Sequence, residues 1–250
     1  MYVDTHCHIH EPSYSLPHNE VLARSREAGV TRAIVVGTSL ESSQQAIDFA
    51  EAHEGYIASI GVHPHDTKDG YAIETLAGTS PVIGAVGEIG LDYYYEHSSK
   101  KVQQEALRAQ LQVAATHNLP VIFHVRDAYD DFWPIFDAFE GLRGVLHSYT
   151  DTQENLQKAL DRGLYIGVNG ISTFTKDAAQ LAMFDAIPLE KMLLETDAPF
   201  LTPTPYRGTV NEPALVPVIA QFHADRRGVA VEAISAATTA NARALFAHLK

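Results

Sequence analysis

Histidine side chains near the start of this chain have the spacing of metal ligands. His6 and His8 are two residues apart, and this spacing in a strand places both rings on one face, where they can reach the same ion. A pair of this kind also arises by chance, as two structural histidines. Cys7 between them faces the other way, and we interpret it as a small buried residue because no base is indicated beside it.

Five further short segments carry ionisable side chains that could bind a cation. They are His63-Pro64-His65, Glu88 with Asp92, His124-Val125-Arg126, His147, and Glu195-Thr196-Asp197. For any one segment, an exposed loop charge or a capping carboxylate is the simpler explanation. If all of them converge, the carboxylates and imidazoles repel one another or stay desolvated unless cations compensate them. The segments jointly predict a metal site.

Eight short apolar runs must position these segments, because each segment lies where one of the runs ends. Longer amphipathic stretches separate the runs, which is the pattern of repeated βα units around a parallel sheet. We predict an α/β fold, a TIM (β/α)8 barrel that forms a single domain over residues 1–250, with the site at the carboxyl ends of its strands. The predicted strands are 2–4, 32–37, 56–61, 82–87, 120–124, 144–147, 164–168 and 192–195.

Between and after these strands we predict helices and one long loop. The helices include residues 42–53, 100–118, 152–162 and 231–249, the last from apolar residues that recur at spacings of three and four. Residues 199–217 are rich in proline and follow the eighth strand directly. Because long loops in compact domains are usually functional or disordered, we expect this loop to contribute to the site.

Composition limits the classes of function. The formal net charge is −13, from 18 Lys and Arg against 31 Asp and Glu, which argues against a protein that coats duplex nucleic acid through a basic face. Thirteen His accompany a single Cys, so no disulfide framework within the chain is possible. No signal peptide or apolar run long enough to span a membrane is indicated. We expect a cytoplasmic monomer without a membrane association or a stable protein partner.

The motifs resemble those of the TatD family of metal-dependent deoxyribonucleases, in the amidohydrolase-like barrel group. The resemblance covers nearly the whole chain. One segment departs from it, since His147-Ser148-Tyr149-Thr150 stands where the family commonly shows His-Cys-Phe-Ser-Gly. The motifs that carry the resemblance are Asp4-Thr5-His6-Cys7-His8, Gly61-Val62-His63-Pro64-His65, Gly87-Glu88-Ile89-Gly90-Leu91-Asp92-Tyr93, His124 with Arg126, Glu195-Thr196-Asp197-Ala198-Pro199, Arg207-Gly208, and Asn211-Glu212-Pro213.

The resemblance implies a site with two divalent ions, which could be Mg, Zn or Mn. His6, His8, Glu88 and Asp197 would hold one ion, and Glu88, His124 and His147 the other, with Glu88 as the bridge. Glu88 and Asp197 would be catalytic, Asp197 by taking a proton from the metal-activated water.

Phosphate recognition is expected from His63, His65, Arg126 and Arg207, because histidine can donate a hydrogen bond and arginine presents a planar fork to phosphate oxygens. Arg126 could instead form a structural ion pair with Asp127 or Asp92. Asp92 could support a ligand, contact substrate, or be a surface carboxylate.

The function implied by this resemblance is a 3′ to 5′ exonuclease that cleaves DNA, and perhaps RNA, at single-stranded or frayed ends. Alternatives are a small-molecule amide, lactone or phosphoester hydrolase, an aminoacyl-tRNA ester hydrolase, and a barrel that only binds ligand. Binuclear relatives commonly bridge their metals with a modified lysine on the fourth strand, where this chain has Glu88, which favours nucleic acid. Several aromatic residues in the predicted exit loops could stack on unpaired bases: Tyr93, Tyr94, Tyr95, Tyr149, Phe174, Phe200 and Tyr206.

Overall fold

The computed structural model describes residues 1–249, along which eight strands alternate with helices. The strands are β1 (Tyr2–Cys7), β2 (Val30–Val36), β3 (Tyr56–Ile60), β4 (Ile83–Asp92), β5 (Val121–Arg126), β6 (Gly144–Leu146), β7 (Tyr165–Val168) and β8 (Met192–Leu194). The helices are α1 (His18–Glu27), α2 (Leu40–Ala52), α3 (Lys100–His117), α4 (Tyr129–Phe136), α5 (Gln153–Asp161), α6 (Ile171–Phe174), α7 (Ala178–Ala186), α8 (Val216–Arg227) and α9 (Val231–Leu245).

All eight strands belong to one sheet whose order follows the chain from β1 to β8. The β3–β4, β4–β5, β5–β6 and β7–β8 pairs are parallel. A parallel bridge between Cys7 and Ala198, just beyond β8, joins the two ends of this order. Helices connect neighbouring strands except between β3 and β4, where the chain forms 3-10 turns at Thr67–Asp69 and Ile73–Thr75. The topology confirms the predicted (β/α)8 barrel fold.

Almost all residues of the strands are buried, and most of these residues are apolar. Every residue of β4 is buried, as expected for a parallel strand covered on both faces. This strand is longer than predicted, since it continues from Ile83 to Asp92. Glu88 therefore lies inside β4, and Asp92 is its last residue. In the same way β5 continues through His124 to Arg126.

Capping residues explain several helix boundaries. The side chains of Ser39, Ser99 and Thr152 accept backbone N–H groups of the first turns of α2, α3 and α5. α3 ends at His117 and is capped by Asn118, which has a left-handed φ of 52°. α9 ends at Leu245, four residues before the predicted end. The predicted loop 199–217 is irregular up to a 3-10 turn at Pro213–Leu215, after which α8 begins at Val216.

The chain divides into two compact units. One contains Met1–Ile34 and Ser148–Ala244 with Leu249, and the other contains Val35–His147 with Leu245–His248. The expectation of a single domain stays a prediction. Within residues 1–249, none of the helices combines the length and the apolar character that crossing a lipid bilayer demands.

Candidate metal centre

In the first compact unit, His6, His8 and Asp197 meet and form what we call the Asp197 group. The Nε2 atoms of His6 and His8 are 3.0 Å apart, and Oδ1 of Asp197 lies 3.6 and 3.5 Å from them. The His6 side chain is fully buried, whereas the Asp197 side chain is 15% exposed. The carboxylate is thus the most exposed member of the group, since the His8 side chain is 7% exposed.

Backbone bonds between β1 and the segment after β8 hold the Asp197 group together. Asp197 has a left-handed φ of 59°, and its N–H donates to the His6 carbonyl at 2.8 Å. The His8 N–H donates to the Ala198 carbonyl at 2.7 Å. Aspartate tolerates the left-handed region better than most residues, which fits an aspartate at this turn.

A buried carboxylate fixes the same two segments from within. Asp4 is fully buried and accepts hydrogen bonds from the N–H of His6, the N–H of Thr196 and the hydroxyl of Thr196. Burial raises the pKa of Asp4 to about 7, although these hydrogen bonds oppose the shift. Two motifs 192 residues apart in the chain thereby share one hydrogen-bond network.

In the second compact unit, three histidines surround the Glu88 carboxylate, and we call His63, Glu88, His124 and His147 the Glu88 group. Oε1 of Glu88 lies 2.9 Å from Nδ1 of His124 and 3.6 Å from Nε2 of both His63 and His147. The Glu88 side chain is 5% exposed. One carboxylate oxygen thus faces three imidazole nitrogens.

The pairing of β4 with β5 positions Glu88 and His124. Gly90 is the register partner of His124, and the register shifts between Val86 and Ile89, where Glu88 lies. Such an irregularity can redirect a side chain. Gly90 has a φ of 154°, and a Cβ atom there would collide with the His124 carbonyl. Glycine is therefore required for β4 to approach β5 at this point.

Asp92 connects two histidines at the end of β4. Its Oδ2 atom is 2.9 Å from Nε2 of His65 and 2.9 Å from Nε2 of His124. Although burial by itself would raise the pKa of Asp92, hydrogen bonds from His124 and the Tyr95 backbone outweigh it and hold the pKa well below its usual range. Asp92 is fully buried, so the alternative of a surface carboxylate is wrong. It supports His124 from behind, with Nδ1 of that ring facing Glu88.

His63 belongs to the Glu88 group, and a backbone contact indicates its tautomer. Its Nδ1 atom accepts the backbone N–H of His65 at 3.2 Å. Burial, reinforced by neighbouring His124, lowers the pKa of His63 well below its ordinary value, so the ring is neutral. A neutral ring that accepts at Nδ1 carries its proton on Nε2. His63 therefore presents a donor toward Glu88, and its ring also lies close enough to Glu88 and His124 to share a metal ion with them.

The two predicted phosphate-binding arginines make different contacts. The Arg126 guanidinium lies 4.0 Å from the ring centroid of Tyr94 and 5.0 Å from that of Tyr95. Within residues 1–249 its side chain forms no ion pair, so the alternative of a structural pair with Asp127 or Asp92 is wrong. Arg207 donates to the Thr202 carbonyl at 2.8 Å and lies 4.0 Å from the Phe174 ring centroid. It is held by its own loop and by α6 rather than by the Asp197 group.

The aromatic residues predicted to lie in the exit loops differ in availability. Some rings are exposed to solvent, whereas others are buried or form hydrogen bonds. Tyr149 is 2% exposed, so the expectation that it is available for stacking is wrong. Tyr93 is hydrogen-bonded to Asp131 and Gln104. The rings with the greatest exposure are Tyr94, Tyr95, Phe200 and Tyr206.

Sequence reasoning missed two glutamines of α3 that hold strand ends in place. Gln103 bonds both backbone groups of Asp92, at 2.8 and 2.9 Å, and Gln110 bonds both backbone groups of Val62, at 2.7 and 3.2 Å. The signal was present in the sequence. The two glutamines are seven residues apart and interrupt the apolar face of the helix, where a buried polar side chain needs partners.

The donor atoms of both groups have spacings that fit a metal ion. Two ligands bound at about 2.1 Å to a tetrahedral or octahedral ion lie about 3.0 to 3.4 Å apart. The three edges of the Asp197 group are 3.0, 3.5 and 3.6 Å long, and the contacts of Glu88 range from 2.9 to 3.6 Å. Imidazoles and carboxylates are ligands for divalent ions. The residues therefore fit a metal in each group.

Several known proteins resemble this chain in sequence or in fold. A family model described as TatD related DNase matches residues 3–247. The chain is 39% identical to the uncharacterized metal-dependent hydrolase YcfH of Escherichia coli (strain K12), with 98% of this chain and 95% of that protein covered. It is 40% identical to the 3′-5′ ssDNA/RNA exonuclease TatD of Citrobacter rodentium, with 92% and 91% covered. The crystal structure of the Escherichia coli K12 TatD homologue YJJV superposes with a TM-score of 0.91 at 28% identity, covering 98% of both chains.

Proposed function

Because the chain belongs to the family of TatD related DNases and is a metal-dependent hydrolase, we propose that it is a 3′ to 5′ exonuclease on single-stranded or frayed DNA, and on RNA. The observation that carries the proposal is the pairing of carboxylate oxygens with imidazole nitrogens at ligand spacing in both groups. The relative named as an exonuclease on single-stranded DNA and RNA supports the choice of substrate. A cytoplasmic monomer stays part of the proposal.

We assign the metal ligands as two sets that share Glu88. His6, His8, Asp197 and Glu88 would hold one ion, and Glu88, His124 and His147 would hold the other. When bound, two divalent ions supply Lewis-acid chemistry, since they lower the pKa of a water molecule and neutralise charge on the phosphate. Imidazole ligands favour Zn or Mn, whereas phosphoryl chemistry also suits Mg.

Asp197 would accept the proton of the attacking water. Its carboxylate is partly exposed, unlike His6, so water can approach it. Oδ1 faces the two imidazoles, and a carboxylate has a second oxygen that can take a proton. A positioned base of this kind contributes about 10²- to 10⁴-fold to the rate.

The phosphate would be held by donors around the Glu88 group. His63 carries its proton on Nε2, the atom that faces the group, and can donate to a phosphate oxygen. The Arg126 guanidinium is stacked on Tyr94 and keeps its N–H edge available for a second oxygen. His65, Asp92 and Arg207 complete the proposed substrate-binding set, with Asp92 acting through His65 and His124.

Replacing Asp92 with asparagine is expected to weaken metal binding by about 10- to 100-fold. The asparagine amide would donate to Nε2 of His124, which would force the ring proton onto Nδ1, the atom that faces Glu88. Metal titration of the apoprotein measures the change. Asp66→Asn, at an exposed aspartate next to His65, is the matched control. Equal metal affinity of Asp92→Asn and the wild type would remove Asp92 from its positioning role.

The proposed activity is tested with single-stranded DNA labelled at either end. We expect stepwise release of mononucleotides from 3′ ends, loss of activity with chelator, and recovery when excess divalent ion is added back. The same preparations are assayed on lactones, amides and aminoacyl-tRNA. Metal-dependent hydrolysis of one of these without cleavage of DNA would contradict the nuclease proposal and identify the alternative.

A further inference from the structure

Two exposed tyrosines follow β4 and lie against the arginine that ends β5. Tyr94 is 57% exposed and Tyr95 is 50% exposed, and their ring centroids are 4.7 Å apart at an angle of 84°. The Arg126 guanidinium lies over both rings. His97 stacks on Tyr95, with centroids 5.7 Å apart and rings inclined by 12°. We call Tyr94, Tyr95, His97 and Arg126 the aromatic platform.

The platform is held in place by the same carboxylate that supports the Glu88 group. Oδ1 of Asp92 accepts the backbone N–H groups of Tyr94 and Tyr95, at 2.9 and 3.1 Å. Its Oδ2 atom faces His65 and His124. Asp92 is also the register partner of Arg126 in the β4–β5 pair. One side chain therefore connects the turn that carries the rings to the histidine beside Glu88.

The remaining contacts of the platform indicate the chemistry of its ligand. Tyr94 and Tyr95 form a contiguous exposed aromatic patch, and such patches are a common feature of binding sites. The two tyrosine rings are accompanied by the Arg126 guanidinium and by two histidines, His65 and His97. The ring centroids of His65 and Tyr95 are 5.4 Å apart. In a chain with a net charge of −13, this local group of cationic and donor side chains favours a ligand with both a ring and a negative charge.

We propose that the aromatic platform is a nucleobase subsite, on which an unpaired base near the 3′ end stacks while the attached phosphate contacts Arg126. This inference rests on the proposed function and adds the part of the substrate that the Glu88 group does not contact. Stacking tolerates any base, because every base has a π face. A paired base within a duplex has no free face to offer, so the subsite accounts for a preference for single strands.

The test compares two oligonucleotides on the metal-loaded protein. One is ordinary single-stranded DNA, and the other has abasic sugars at its last three 3′ positions. The double variant Tyr94→Ala/Tyr95→Ala should lose between about five- and a hundred-fold in kcat/KM on ordinary DNA. It should lose nothing further on abasic DNA, on which the wild type should fall to the rate of the variant. Tyr94→Phe/Tyr95→Phe keeps the rings and should retain the wild-type rate on both.

A matched control is a second ring with a cation above it. Tyr165 begins β7, with the Lys191 ammonium 4.7 Å from its ring centroid, and therefore lies at the amino end of its strand. Tyr165→Ala should leave the ratio of rates on the two oligonucleotides unchanged. An equal loss on both oligonucleotides in the platform variant, or no loss on either, would overturn the proposal.

Binding separates this inference from the proposed function. The same oligonucleotides with phosphorothioate linkages at the 3′ end are titrated against metal-loaded protein, and anisotropy reports the Kd. If the wild type binds ordinary DNA more tightly than abasic DNA, and the alanine variant does not, the platform stands even where no cleavage is seen. If DNA is cleaved from its 3′ end with no dependence on the platform, the nuclease proposal stands and the platform fails.

Discussion

Glu88→Gln should abolish hydrolysis and metal binding together while leaving the fold intact. Glutamine has the shape of glutamate but lacks the negative charge, so Oε1 would no longer compensate a cation between His124 and His147. Because Glu88 is proposed to serve both ions, kcat/KM should fall by roughly 10³-fold or more, the equivalent of several kcal/mol of charge stabilisation. Elemental analysis of the purified variant, with the rate on labelled DNA, measures both effects.

The control for this substitution is another carboxylate of low exposure. The Glu212 side chain is 14% exposed and binds Arg24 at 2.7 Å, outside both groups. Glu212→Gln should keep its metal and its activity. Thermal unfolding adds an independent measurement, because an ion that binds only the folded protein raises Tm as its concentration rises. This rise in Tm should occur in the wild type and in Glu212→Gln but not in Glu88→Gln. If Glu88→Gln still binds two ions, Glu88 does not bridge them.

The positions of the strands and most of the candidate ligands were predictable from local pattern. Apolar runs predicted all eight strands, and six of these runs are followed by histidine or carboxylate, since a buried parallel strand has few polar residues before its carboxyl end. The spacing of His6 and His8 correctly predicted that the two rings share a face. These features depend on residues close in sequence, where periodicity is informative.

Features that depend on contacts between strands were not predictable. The place of Glu88 inside β4 follows from a register shift against β5, and no local pattern specifies it. The tautomer of His63 follows from its contact with the backbone N–H of His65, and this contact forms only because the chain turns after β3. Tyr149 was assigned to the exposed aromatics because its loop was expected at the site, yet it is buried. A single sequence reports residue type and spacing but not the partner that each group meets.

Asp197→Asn should reduce kcat by about 10²- to 10⁴-fold without changing the fold. Asparagine can still accept hydrogen bonds, and the backbone bond from residue 197 to the His6 carbonyl does not involve the side chain. The substitution removes a charge 3.5 Å from Nε2 of His8 and removes the proposed proton acceptor. The rate on labelled DNA is measured over a range of metal concentrations up to saturation.

The dependence on metal distinguishes the two roles proposed for Asp197. A residue that acted only as a ligand would give a variant whose rate recovers at high metal concentration, because mass action compensates weaker binding. A residue that also accepts the proton would give a variant that binds its ions at saturation and stays slow. Asp177→Asn, at the exposed amino terminus of α7, changes an aspartate outside both groups and should keep the wild-type rate. Full recovery of Asp197→Asn at high metal would therefore remove Asp197 from proton transfer and leave that role to another group.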